Sequence, residues 1–267
     1  MQIKRTLITL IFTSILGLAQ EMPFGAMYYE TGFTGNLFDL KRDYDGNPTD
    51  VASGNGKTNL DEFYKAFGRM IKKGFSNKAL EDYGIADEMV NLKYLNIKGI
   101  AAEEAPSAFG SSYIEPSGIV AVYSGKIEQA PMTPVRFSGV FDDAIVVLVN
   151  GEVALYVSRH IGKLRRYDPK TVSNARKKGN VGQPAYGPYL RLKKGDEIKL
   201  IIAEIPGGSM GGYLDIQVQG HEYPTDKLGD PILHPFLTVP LTADLQKELN
   251  KYRQHTFQNQ PLITFQK

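Results

Sequence analysis

The sequence predicts a mainly β protein: an antiparallel, jelly-roll-like β-sandwich with one or two inserted helices and a short C-terminal helix. Three observations carry that prediction. Twenty-seven glycines and fifteen prolines divide the 267 residues into short runs. From Leu92 onward apolar residues recur with a period of two, the signature of strands with one buried face. Asn150-Gly151 stands between the apolar runs Ile145–Val149 and Val153–Val157, a strong short-range hairpin signal because both turn residues must take positive φ.

In chain order, Lys4 and Arg5 precede an uncharged apolar run, Leu7–Leu18, and Gly17 and Ala19 occupy the small-residue positions of a cleavage site. Residues 1–19 therefore read as a signal peptide, too short to span a bilayer comfortably. Phe33, Leu37, Phe38 and Leu40 predict a first strand at Gly35–Leu40, followed by a loop over Asp43–Gly56, where Asp45-Gly46, Asn47-Pro48 and Ser53-Gly54 all break regular structure. Thr58–Gly74 predicts a helix: Asn59 can cap it, Glu62 lies three positions on, Phe63, Phe67, Met70 and Ile71 share a face, and Gly74 closes it. A shorter helical piece is expected at Lys78–Tyr83, completing a helical insertion near 58–84. Leu92–Ile97 reads as a strand and Ala101–Gly110 as a loop. Ile119–Tyr123 and Arg136–Phe141 read as a pair of strands joined across Gly125–Pro134, and the hairpin follows.

Arg159–Lys178 departs from its surroundings, with eight basic residues and Asp168 as its one acid. It reads as a surface insertion suited to a negatively charged ligand, or as a solvated loop. Tyr189–Leu192, Lys199–Ile205 and Tyr213–Gln219 predict further strands, the last with Leu214, Ile216 and Val218 inward and Tyr213, Asp215 and Gln217 outward. Thr242–Gln254 predicts a helix with Leu245, Leu249 and Tyr252 on one face. One sandwich domain over 20–225 is expected, with 226–267 an extension packed on it.

Composition excludes several functions. Loss of Lys4 and Arg5 with the signal leaves 29 basic against 29 acidic residues, which argues against a general binder of nucleic acid or membrane surface. No membrane span is expected after the signal. Zero cysteines mean no disulfides, so burial alone must hold an exported core. The histidines at 160, 221, 234 and 255 have no helical ligand spacing. Gly207-Gly208-Ser209-Met210-Gly211 fits G-x-S-x-G, but that motif needs a helix after the serine, and here an alternating strand follows. The glycines read instead as a tight loop. No catalytic constellation emerges, and the protein is expected not to be an enzyme.

Asp142-Asp143 is the remaining candidate site. Hard cations such as calcium take several oxygen ligands. Adjacent aspartates can both face one ion if the backbone between them is unusual, as in a cis non-proline bond. The alternative is an acidic turn.

The run Ser117–Leu155, SGIVAVYSGKIEQAPMTPVRFSGVFDDAIVVLVNGEVAL, resembles the anthrax protective-antigen domain family (the PA-fourteen β-sandwich), with its VRFSG-like strand, Asp-Asp pair, hydrophobic strand and Asn-Gly turn. Lys194–Ile198 and Tyr213–Val218 are similar to its closing strands, and Thr34–Phe38 to its opening one. The resemblance covers roughly residues 30–220. It implies a carbohydrate-binding or adhesion module in which Asp142 and Asp143 hold calcium against sugar hydroxyls. Three features depart from the pattern: Ala144 follows the pair where glycine is common, Glu204–Gly212 contains no Asn or Asp, and the chain has no Trp.

The expected function is thus a secreted, non-catalytic glycan-binding module, periplasmic or at the bacterial cell surface. Asp142 and Asp143 are its metal ligands. Arg159, Lys163, Arg165 and Arg166 of the basic loop, with Ser209 and Met210, are its ligand contacts. The partner is a glycan or cell-surface polysaccharide, an acidic one if the basic loop takes part. The alternative is an assembly module that contacts a protein partner or itself.

Overall fold

The structure is a computed structural model that describes residues 32–54, 57–86, 91–158, 184–205, 208–225, 229, 231–252 and 262–265. The expected signal peptide and the basic loop lie outside the described residues.

The elements, in order, are β1 (Thr34–Asp39), β2 (Ala52–Ser53), β3 (Lys57–Thr58), α1 (Leu60–Lys72), α2 (Asn77–Leu80), β4 (Gly84–Ile85), β5 (Asn96–Ala101) and α3 (Ala105–Ala108). There follow β6 (Ile119–Gln129), β7 (Val135–Asp142), β8 (Ala144–Val149), β9 (Glu152–Ser158), β10 (Ala185–Tyr186), β11 (Glu197–Glu204) and β12 (Ser209–Val218). The last are β13 (His234–Pro235), α4 (Ala243–Tyr252) and β14 (Thr264–Phe265). One sheet runs β4-β1-β6-β11-β8-β9, with β14 on β6, and the other runs β10-β7-β12-β13, with β5 on β12. All of these pairings are antiparallel. The expected antiparallel sandwich is the architecture found.

The first sheet is covered on both faces, which explains the unbroken apolar run of β8. Successive side chains point to opposite faces of a strand. Ile145 and Val147 enter the core between the sheets with Phe137, Leu214 and Ile216. Val146 and Leu148 instead meet Phe63, Tyr64, Phe67, Met70 and Ile71 of α1. This helix is therefore a third layer, not an ornament on the sandwich. The Asn59 side chain caps it by accepting from the Glu62 N–H, and its Phe63 and Phe67 rings stack at 5.8 Å between centroids. Burying one such ring contributes about 1.5–3 kcal/mol.

The hairpin forms as expected, with φ of 50° at Asn150 and 84° at Gly151. The Asn150 side chain also locks it to the neighbouring turn, donating to Asp196 and accepting from the Glu197 N–H, both at 2.9 Å.

Four expectations need correction. Ala101–Gly110 is not a plain loop: a 3-10 turn at Ala102–Glu104 leads into α3, with Pro106 near its start, where its missing N–H costs nothing. The strand expected at Leu92–Ile97 begins later, at Asn96, because Leu92 and Tyr94 make isolated bridges to Phe33 and Leu237. β6 and β7 are consecutive but lie in different sheets, so Gly125–Pro134 spans no hairpin. Tyr189–Leu192 is not a strand, and only Leu190 bridges to β7, through Val135. Beyond residue 226 the chain adds β13 to one sheet and β14 to the other, while Leu245 and Leu249 of α4 pack on Tyr94 and Leu237.

Candidate functional site

Asp142 ends β7 in one sheet and Asp143 precedes β8 in the other, so the acidic pair is the corner where the chain changes sheets. The peptide bond between them is cis. Both side chains are buried, Asp143 to 1% exposure. Register builds the rest of the corner. Asp142 pairs with Gly211 of β12, while Ala144 pairs with Ala203 of β11, which places Glu204 and Ile205 beside Asp143. The Ile205 N–H donates to Asp143 Oδ2 at 2.8 Å.

Glu204, which the sequence offers with Ser209 as the remaining side-chain oxygens of the loop Glu204–Gly212, joins this corner. It is fully buried, and neither carboxylate oxygen has a hydrogen-bond partner. Two facing carboxylates, both acceptors, cannot bond to each other unless one carries a proton. Its pKa is accordingly pushed up to about 10, first by burial, then by the charge of Asp143, a proton-mediated contact with Asp143, and the charges of Asp142 and Glu103. α1 contributes the hydroxyl of Tyr64, which is pushed up to about 12 by burial and then by the charges of Asp143 and Asp61. β7, β11, α1 and the junction between β7 and β8 thus direct negative charge or oxygen toward one corner.

A hard cation placed here would give the orphaned Glu204 carboxylate the partner it lacks. The side chains do not form a ready-made cage: among the described residues, no three His, Asp or Glu side chains are placed to hold a metal ion together. An ion would complete its shell from carbonyls, water or ligand oxygens.

The other expected contacts divide. Ser209 is exposed at the start of β12, so a strand follows it and no nucleophile elbow forms. Gly208 takes φ of 94°, in keeping with a tight loop. Met210 is fully buried in the core between the sheets, which removes its side chain from the expected ligand contacts. Its neighbours in the alternating strand Ser209–Val218 decide this, because period-two geometry sends Met210 inward with Leu214 and Ile216. Arg159, Lys163, Arg165 and Arg166 lie outside the described residues. The chain enters that insertion from Ser158, which pairs with Ala144 next to the acidic corner. Asp215, expected outward, is buried.

At the far end of the six-residue β8, roughly 20 Å away, a cleft of about 260 Å³ is lined by Val149, Asn150, Leu190, Arg191 and Lys193, among others. On the other sheet, His221 and His234 come together in space rather than in spacing: their ring centroids are 6.3 Å apart, with Tyr223 4.6 Å from His221 and 5.7 Å from His234. Among the described residues no helix is long and apolar enough to cross a membrane.

No protein-family model matches the sequence, and no curated protein matches it. Among solved structures the chain is similar to the PA14 sugar-binding domain from an RTX adhesin, at 16% identity over 73% of this chain and 93% of that one, with a TM-score of 0.41. It is similar to the PA14 domain of the MpAFP antifreeze protein, at 12% identity over 72% and 84%, TM-score 0.41. It is also similar to the A domain of Epithelial Adhesin 6 from Candida glabrata, solved in complex with Galb1-3GlcNAc, at 13% identity over 84% and 93%, TM-score 0.38. The chain is a β-sandwich with PA14-like structural neighbours.

Proposed function

We propose that this protein is an exported, non-catalytic carbohydrate-binding or adhesion module whose acidic corner binds calcium. The observation that carries the reading is Glu204: a fully buried carboxylate without a hydrogen-bond partner, beside Asp142 and Asp143. Calcium takes six to eight oxygens, more than the Asp142–Asp143 pair supplies, so positions remain for main-chain carbonyls, water and sugar hydroxyls. The exposed Ser209 stands near the same corner, one strand position from Met210 and two from Gly211, the partner of Asp142. The family that the sequence resembles implies the same use of the aspartate pair. The basic insertion, starting at Arg159, favours an acidic polysaccharide.

Thermal melting in excess chelator and then in millimolar calcium tests the metal, with Asp143→Ala alongside. A ligand that binds only the native state adds about 2.7 kcal/mol at 100 times its Kd, so the expected result is a rise of several degrees that the variant loses. A glycan array probed with and without calcium then tests the ligand. An unchanged melting temperature would reassign the corner to structure and point to protein contacts or self-association.

A further inference from the structure

On the outer face of the second sheet, the Arg136 guanidinium is held in a clamp of two tyrosine rings and a glutamine. Val135 and Phe137 point into the core, so Arg136 between them points outward. The segment after β10 is pinned on either side of it: the Gly187 N–H donates to the Phe137 carbonyl at 2.9 Å, and Leu190 exchanges two hydrogen bonds with Val135. Pro188 and Tyr189 stand against Arg136 alone, the two-against-one count of a bulge. The Arg136 Cζ lies 4.3 Å from the centroid of the Tyr186 ring and 4.7 Å from that of Tyr189. Its Nε donates to Gln217 Oε1, across the strand pair, at 2.7 Å.

Two tyrosine rings and the Nε hydrogen bond therefore hold the guanidinium in place, while its two Nη groups have no hydrogen-bond partner among the described residues. No carboxylate there lies within ion-pairing distance of it. Asp215, two positions from Gln217, is buried and has interactions of its own. A planar fork immobilised in this way has lost its rotamer entropy before any ligand arrives, and it matches a carboxylate or sulfate bidentately. Tyr189, 36% exposed, and the exposed Pro188 form an apolar shelf beside the fork. The shelf suits the C–H face of a pyranose ring.

We propose that Arg136, Tyr186 and Tyr189 form a cation-independent subsite for an anionic saccharide, its carboxylate or sulfate on the guanidinium and its ring against Tyr189. This deepens the glycan reading but does not use the acidic corner, so either can fail alone.

The test is titration of the full chain, in chelator, with a heparin octasaccharide, an oligogalacturonate and a neutral maltohexaose. Acidic probes are expected to bind and the neutral one not to; the tighter of the two acidic probes tells sulfate from carboxylate. Arg136→Gln should weaken binding about tenfold or more, and Arg136→Lys should lose most of that too, because it keeps the charge without the fork. Tyr189→Ala, at an exposed position that leaves the sheet intact, should weaken it severalfold, while Asp143→Ala should change nothing. Melting curves of each variant check folding. Failure of both acidic probes to bind in chelator would overturn the proposal, as would equal binding of maltohexaose. Binding unaltered in folded Arg136→Gln and Tyr189→Ala would overturn it as well, assigning the anion to other basic residues.

Discussion

The acidic corner and the arginine clamp sit on the same sandwich and present opposite problems. At the corner, Asp142, Asp143 and Glu204 concentrate negative charge in a buried place where only a proton or a cation relieves it. At the clamp, one guanidinium is stacked and hydrogen-bonded at the surface, so it is stable without an ion. On the proposed readings, a ligand at the first region would add stability, whereas the second is already preorganised and would offer only affinity. Burial makes the difference, since an unpaired charge in the interior costs far more than one at the rim.

Perturbations should separate the two regions, and the largest effect belongs to the helix behind the corner. Phe67→Ala should cost about 3–5 kcal/mol, because Phe67 is fully buried between α1 and the first sheet. Denaturant unfolding measures the loss. Hydrogen exchange should locate its loosening around β8 and β11, leaving the β7–β10 pairing protected. If the two regions loosen equally, they are not independent.

Next comes Glu204→Gln. Glu204 has a folded pKa raised above its unfolded value, so its proton stabilises the fold fully only below about pH 4.5, and stability falls as pH climbs toward 10. In chelator at pH 8 the glutamine variant should therefore be more stable than the parent, on the order of a few kcal/mol, and melt at a higher temperature. It should also respond less to calcium. A variant that is less stable than the parent under those conditions would mean the glutamate has a partner that compensates its burial.

His234 reverses the sign on the other sheet. Burial, and then the charge of His221, lower its pKa to about 4 from 6.5. Its folded state resists protonation, so stability is complete above about pH 6.5 and declines as pH falls toward 4. His234→Gln should flatten that acid limb while leaving the alkaline limb in chelator untouched. Melting temperatures across pH 4–9 for both variants read the two limbs separately. The smallest effect is expected from Asn59→Ala, about 1 kcal/mol from the lost cap of α1, with a calcium response that stays intact.

Much of the fold was legible because local chemistry specified it. The Asn150-Gly151 turn, the Asn59 cap and the Phe63–Phe67 face each follow from a few neighbouring residues, and each formed. The acidic pair was legible as a candidate because adjacent carboxylates are costly wherever they stand. Glu204 was harder: 61 positions along the chain, it reaches Asp143 only through the β8–β11 register. Arg136 gave no signal at all, being one charge in an alternating strand. Its meaning comes from Tyr186 of β10 and from Tyr189, the first residue of a segment expected as a strand, both some 50 residues downstream.

The sequence by itself determined the class of fold, the hairpin, the helix and which faces are apolar, because period and turn chemistry act over a few residues. Only the tertiary structure decided that consecutive β6 and β7 part into different sheets, that α1 is a layer, that Met210 is core and that Glu204 joins the aspartates. Those outcomes depend on which strand pairs with which. Pairing is set by the summed burial of whole faces, a quantity that no short stretch of sequence contains.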